Sequence, residues 1–94
     1  MPWSDPFVAL IRGAIATAHN EPATAISFLA EAMEGFELAD MGLYAAAARR
    51  RLGQVTGGER GPELIADAEE WMRSKEIKNP TRMTRMLAPG WNEE

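Results

Sequence analysis

Apolar residues recur along this chain with a helical period, and helix-breaking residues divide it into five segments. From Pro6 to His19, the positions Phe7, Leu10, Ile11, Ala14, Ile15 and Ala18 keep the i, i+3, i+4, i+7 spacing of one helix face. Asp5 is a good N-cap, and Pro6 suits the first helical position, where its missing N–H has no role. Asn20-Glu21-Pro22 closes this helix and opens a second, Pro22 to Leu38, with a wide stripe of Ala25, Ile26, Phe28, Leu29, Ala32, Met33 and Phe36. A stripe that broad predicts neighbours on two sides.

Asp40 is the expected cap of a third helix, about Met41 to Val55, with Met41, Ala45, Ala48, Leu52 and Val55 inward. Gly57-Gly58 stops it. A fourth helix, about Pro62 to Lys75, presents Leu64, Ile65, Ala68, Trp71 and Met72. Asn79 caps a short fifth helix, Pro80 to Ala88, with Met83, Met86 and Leu87 expected inward and Ala88-Pro89-Gly90 as its stop.

Composition sharpens this pattern. Alanine, the best helix former, supplies 16 of the 94 residues, whereas valine occurs twice and no stretch alternates with strand period. The expected fold is all-α, with short connections that make successive helices antiparallel neighbours. At 94 residues the chain suits one domain, which buries about two-thirds of its surface and needs no staple. The absence of cysteine removes disulfides, thiolate metal sites and cysteine nucleophiles, and fits a cytoplasmic compartment. No apolar run reaches the roughly 18 residues of a membrane span, and the N-terminus lacks a secretory signal pattern.

Stacked helical hairpins raise the question of repeats. Ala25, Leu29 and Ala32 give small, bulky and small positions at the spacing of the second helix of a tetratricopeptide repeat, and Leu64, Ala68 and Trp71 are spaced similarly. The departures are a 38-residue separation from Asn20 to Gly58, against the usual 34, and a first helix without the repeat's tryptophan, leucine-glycine and tyrosine. The expected architecture is a right-handed, tetratricopeptide-like array of two hairpins closed by the fifth helix.

The stretches DMGLYAAAARRRLGQ (40–54), Gly57-Gly58, LIADAEEWM (64–72) and NPTRMTRMLAPG (79–90) carry a further resemblance. Together they are similar to the C-terminal helical region of large bacterial, myxobacterial-type serine/threonine protein kinases of eukaryotic-like kind. The resemblance spans most of residues 20 to 90 and is most specific over 44–52 and 68–90. It implies that the chain is part of a longer signalling protein, follows a kinase domain, and acts as a scaffold that binds a protein or peptide. It brings no catalytic residues with it.

The residues agree that no catalytic constellation is present. No phosphate loop, His-Arg-Asp or Asp-Phe-Gly occurs, and no lysine and hydroxyl residue follow Gly57-Gly58-Glu59-Arg60-Gly61, which reads as a helix stop and start. His19 lacks companions at metal-ligand spacing and suits a helix C-terminus. Ser4, Ser27 and Ser74 have no base beside them, and Glu69 and Glu70 diverge by about 100° on a helix. Neither a cofactor nor a metal is expected.

Charge supplies the remaining candidates. Residues 1–48 hold one basic and six acidic groups, a balance of −5, whereas residues 49–94 hold nine and eight, a balance of +1. Arg49, Arg50 and Arg51 fan over roughly 200° of helix surface, so they read as an ion-paired face near Glu31, with partner binding as the alternative. Between residues 73 and 85, Arg73, Lys75, Lys78, Arg82 and Arg85 face only Glu76. A DNA-binding helix in that stretch is the second functional reading, but the net charge of −4 and the lack of interleaved aromatics argue against nucleic acid. Candidate partner-binding residues are therefore Arg49, Arg50, Arg51, Arg82 and Arg85. The wide apolar arcs of the first two helices predict a homodimer through Phe7, Ile11, Ile15, Phe28 and Phe36.

Overall fold

The computed structural model describes residues 5–75 and 77–88. Trp3, Ser4, Glu76, the Pro89-Gly90 stop and Trp91 lie outside the described residues. Among the described residues five helices follow in order: α1 (Pro6–Ala18), α2 (Pro22–Leu38), α3 (Gly42–Thr56), α4 (Arg60–Ser74) and α5 (Pro80–Leu87). The protein is all-α, as the periodicity predicts. Asp5 caps α1 by accepting from the N–H of Phe7, and Asn79 caps α5 by accepting from the N–H of Arg82. In each case the side-chain oxygen satisfies a donor that the first turn leaves without a helical partner.

The first two connections are built alike. Asn20 and Asp40 both adopt a left-handed backbone, with φ of 58° and 60°. Behind them, the N–H of Glu21 bonds to the carbonyl of Ala16, and that of Met41 to Phe36. This is the Schellman closure, which satisfies the last carbonyls of a helix and turns the chain within two residues. Asp40 is thus the terminator of α2 rather than the cap of α3. The short polar side chains of Asn and Asp tolerate the left-handed region better than most, which suits either role in sequence.

Helices pack on their neighbours in chain order, and α5 folds back onto α3 and α4. Helix α3 is therefore central, and its run Ala45–Ala48 is buried on every side. Four alanines in succession let α2 and α4 approach α3 closely from different directions. At the α3–α4 turn the two backbones touch: a Cβ on Gly53 would stand 2.7 Å from the carbonyl oxygen of Gly61. The core itself joins Leu10, Leu29, Phe36, Leu52 and Met72 to these small residues. Phe7, Phe36 and Tyr44 knit α1, α2 and α3 together, with ring centroids 4.9 to 5.2 Å apart. Both contacts of Phe7 are edge-on, the arrangement favoured by ring quadrupoles.

Candidate interaction surfaces

The arginine run is dealt out to three sides of α3. Arg49 pairs with Glu37 of α2 at 2.6 Å and sets its Nε against the sulfur of Met33. Glu37, rather than the expected Glu31, is the acidic partner. Arg50 donates from Nε to Glu69 of α4 at 3.1 Å and from Nη2 to the hydroxyl of Thr81 on α5 at 2.9 Å. Arg51, only 1% exposed, donates to the carbonyl of Ala88 and to Gln54. Arg50 and Arg51 are buried and fasten helices to one another, which takes these two out of the candidate partner-binding residues. The 100° step between successive helical residues sends adjacent side chains to different neighbours.

Helix α5 is docked through Pro80, Thr84 and Ala88, all buried and spaced by four. The hydroxyl of Thr84 bonds to the carbonyl of Pro80 within the same helix, so its burial leaves that donor satisfied. The opposite side is open. Arg82 and Arg85 are exposed, and Ile77, Lys78, Asn79, Arg82, Met83 and Met86 line a shallow groove of about 350 Å³. Met86 is 68% exposed, against the expectation that it points inward. Within this eight-residue helix Pro80 and Thr84 take the buried side together with the C-cap Ala88, and Met83 and Leu87, as expected, pack partly against the core.

The α1 face shows the same displacement on a larger scale. Its buried residues are Ala9, Leu10, Gly13 and Ala16, so α1 meets α2 largely through small side chains. A Cβ on Gly13 would lie 3.0 Å from Cγ of Leu29, a measure of how near the helices come. Apart from Leu10, the bulky residues keep much of their surface outward. Ile11 is 59% and Ile15 53% exposed, and Phe7 and Val8 are each exposed by about two-fifths. Phe36, by contrast, is fully buried, and Phe28 is half-buried under the guanidinium of Arg12, 5.9 Å from its ring centroid. Phe36 therefore leaves the candidates for self-association, and Val8 joins the exposed apolar residues of α1. Its signal in the sequence was the three-residue step to Ile11 and the seven-residue step to Ile15.

The other sequence candidates have structural roles in place. His19 is exposed at the C-cap of α1, with its backbone N–H bonded to Ile15. Glu69 is engaged by Arg50 and Arg73. Gly57 and Gly58 take φ of 61° and 59° between α3 and α4, a conformation that glycine adopts at no steric cost. Among the described residues, no group of three His, Asp or Glu side chains converges as a metal site, and no helix is long and apolar enough to cross a membrane.

No family model, curated protein or solved structure matches the chain.

Proposed function

We propose that this chain is a protein–protein interaction module that docks partners through the outer face of α1. The observation that carries this reading is the exposure of Phe7, Val8, Ile11 and Ile15 on a 13-residue helix whose single charged residue is Arg12. Apolar side chains exposed together, rather than scattered singly, mark a surface that another molecule covers. The resemblance to the C-terminal, tetratricopeptide-like helices of bacterial serine/threonine kinases supports a scaffold in a signalling protein. In a stacked array each helix pair buries its faces against the next, so an end helix with an apolar outer face offers a docking place. The test is affinity capture from cells with the wild-type chain and with an Ile11→Glu/Ile15→Glu variant as baits. Proteins held by the first and lost by the second support the reading; identical captures refute it.

The nucleic-acid reading has one observation in its favour, the basic outer face formed by Lys78, Arg82 and Arg85 on the side of α5 away from the core. Phosphate binding would lose affinity linearly in log salt, by about 0.9 log unit per duplex phosphate contacted for each tenfold rise in salt. A fluorescent duplex titrated at two salt concentrations reads this directly, and no binding at low salt disposes of it.

A further inference from the structure

We infer that the partner of the α1 face is a second copy of this chain, paired antiparallel along Val8, Ile11, Ile15 and Ala18. The inference rests on the interaction reading above and names the occupant. Those four residues are separated by three, four and three positions, the a and d spacing of a two-heptad seam. They lie roughly 140–220° around the helix from Gly13, which faces α2. The seam thus runs along the side of α1 away from the rest of the molecule, and all four residues are exposed.

A two-fold axis between Ile11 and Ile15 makes the seam complementary to itself. It sets Ile11 against the partner's Ile15 and Val8 against the partner's Ala18, so bulky pairs fill the centre and smaller pairs the ends. Each pair joins an a to a d position, the pairing an antiparallel seam requires. It also lays the positive N-terminal end of each α1 beside the negative C-terminal end of the other. Arg12, the one charge on the helix, sits beside the seam and is turned over Phe28 of its own chain. No charged side chain has to be buried for the pair to close.

Area decides the strength. The exposed apolar surface of Phe7, Val8, Ile11 and Ile15 amounts to roughly 300–400 Å² per copy, comparable to the largest patch on an ordinary monomer. Two such faces together fall short of the roughly 1,200 Å² at which stable complexes begin. The pair is therefore a weak, reversible dimer that forms as the concentration of the chain rises. The competing arrangement seats α1 on the basic α5 groove of the next copy. That contact is head-to-tail, grows beyond a dimer, and weakens with salt because it joins an acidic half to a basic end.

Sedimentation of the 94-residue chain, from micromolar to about half-millimolar and at low and high salt, separates these outcomes. The expected result is a monomer–dimer equilibrium that high salt leaves unchanged or tightens. Ile11→Asp weakens it at least about 100-fold, while far-ultraviolet circular dichroism and the thermal midpoint, compared at concentrations where both chains are monomeric, stay close to wild type because Ile11 is outside the core. Met86→Glu dimerises like wild type. Since the chain has no cysteine, Ile11→Cys mixed with Ile15→Cys cross-links as a mixed pair under mild oxidation, whereas a parallel seam cross-links Ile11→Cys to itself. A monomer throughout the range, growth past a dimer that salt suppresses, self-linked Ile11→Cys, or an undiminished Ile11→Asp dimer each overturns the inference. A monomeric chain that still captures proteins lost by the Ile11→Glu/Ile15→Glu bait removes self-pairing alone and leaves the interaction module standing.

Discussion

Arg51 donates from Nε to the carbonyl oxygen of Ala88 at 3.0 Å, joining the middle of α3 to the end of α5 across 37 residues of chain. The guanidinium is buried, and the carbonyl it meets stands where a helix gathers partial negative charge. Arg49 and Arg51 are thus near neighbours in sequence and opposite in circumstance.

Their substitutions are expected to differ accordingly. Arg51→Met keeps much of the side-chain volume but strands a buried carbonyl, at a cost of about 1–3 kcal/mol. Arg49→Met gives up an ion pair to the exposed Glu37, worth about 0–1 kcal/mol in water. Urea unfolding of the two variants against wild type measures the gap. Equal losses would contradict the burial of Arg51.

Gly53 offers a test of how closely α3 and α4 pack. A methyl group there meets the Gly61 carbonyl and the Ile65 side chain, each at 2.7 Å, and one of these is backbone that cannot step aside cheaply. Gly53→Ala is expected to cost about 1–3 kcal/mol by overpacking, although alanine is the better helix former. Gly57→Ala meets open space, but φ of 61° with ψ of −154° is a backbone region left essentially to glycine, so it bears about 1–3 kcal/mol of backbone strain alone. The distinguishing measurement is the double variant with Ile65→Ala, which relieves part of the first cost and none of the second.

These two sites show what could be read in advance. The five helices, and the caps at Asp5 and Asn79, were legible because local spacing and capping chemistry decide them. The inner face of α1 was legible only in part. Of the stripe Phe7, Leu10, Ile11, Ala14, Ile15 and Ala18, Leu10 is buried, but it shares the inner face with Ala9, Gly13 and Ala16, while Ile11 and Ile15 stay exposed. Close approach of two helices favours small residues, and hydrophobicity along one strand of sequence cannot reveal what the neighbouring helix requires. Met86 on α5 was misplaced for the same reason, with Pro80, Thr84 and Ala88 in the contact instead. The arginine run could be placed on a helix, but which member would be buried depended on α5 folding back, a long-range event that no local signal carries.

Trp71 stands between these extremes. It is half-buried, with its ring against Gly42 at the start of α3 and the ammonium of Lys75 5.4 Å from its centroid. Trp71→Ala is expected to cost about 2–3 kcal/mol, at or below the bottom of the 3–5 typical of a fully enclosed aromatic. Lys75→Ala removes a cation over an exposed ring face and costs about 0.5–1 kcal/mol. Denaturant midpoints of both variants check the order. A loss on Lys75→Ala as large as that on Trp71→Ala would mean the charge, not the packing, anchors this corner.

The aromatic cluster gives the sharpest contrast, because its members differ in burial while touching one another. Phe36 is fully enclosed and stacks on Tyr44 at 5.2 Å and 27°. Phe7 closes the cluster edge-on from α1 but keeps about two-fifths of its surface in water. Phe36→Ala empties a site bounded by three helices and is expected to cost about 3–5 kcal/mol. For a domain of this size each kilocalorie lowers the melting temperature by about 4–8 °C, so the variant melts at least about 12 °C below wild type. Against a total stability of about 5–15 kcal/mol, such a loss leaves a poorly populated fold if the chain lies at the low end. Phe7→Ala removes two ring contacts and part of a side chain's burial, and should cost about 1–2 kcal/mol. Calorimetry on the pair, run at concentrations where the chain is monomeric, decides the matter. If Phe7→Ala proves as damaging as Phe36→Ala, α1 is held by its aromatic end rather than by the Gly13 face, and the outer seam is less free to receive a partner.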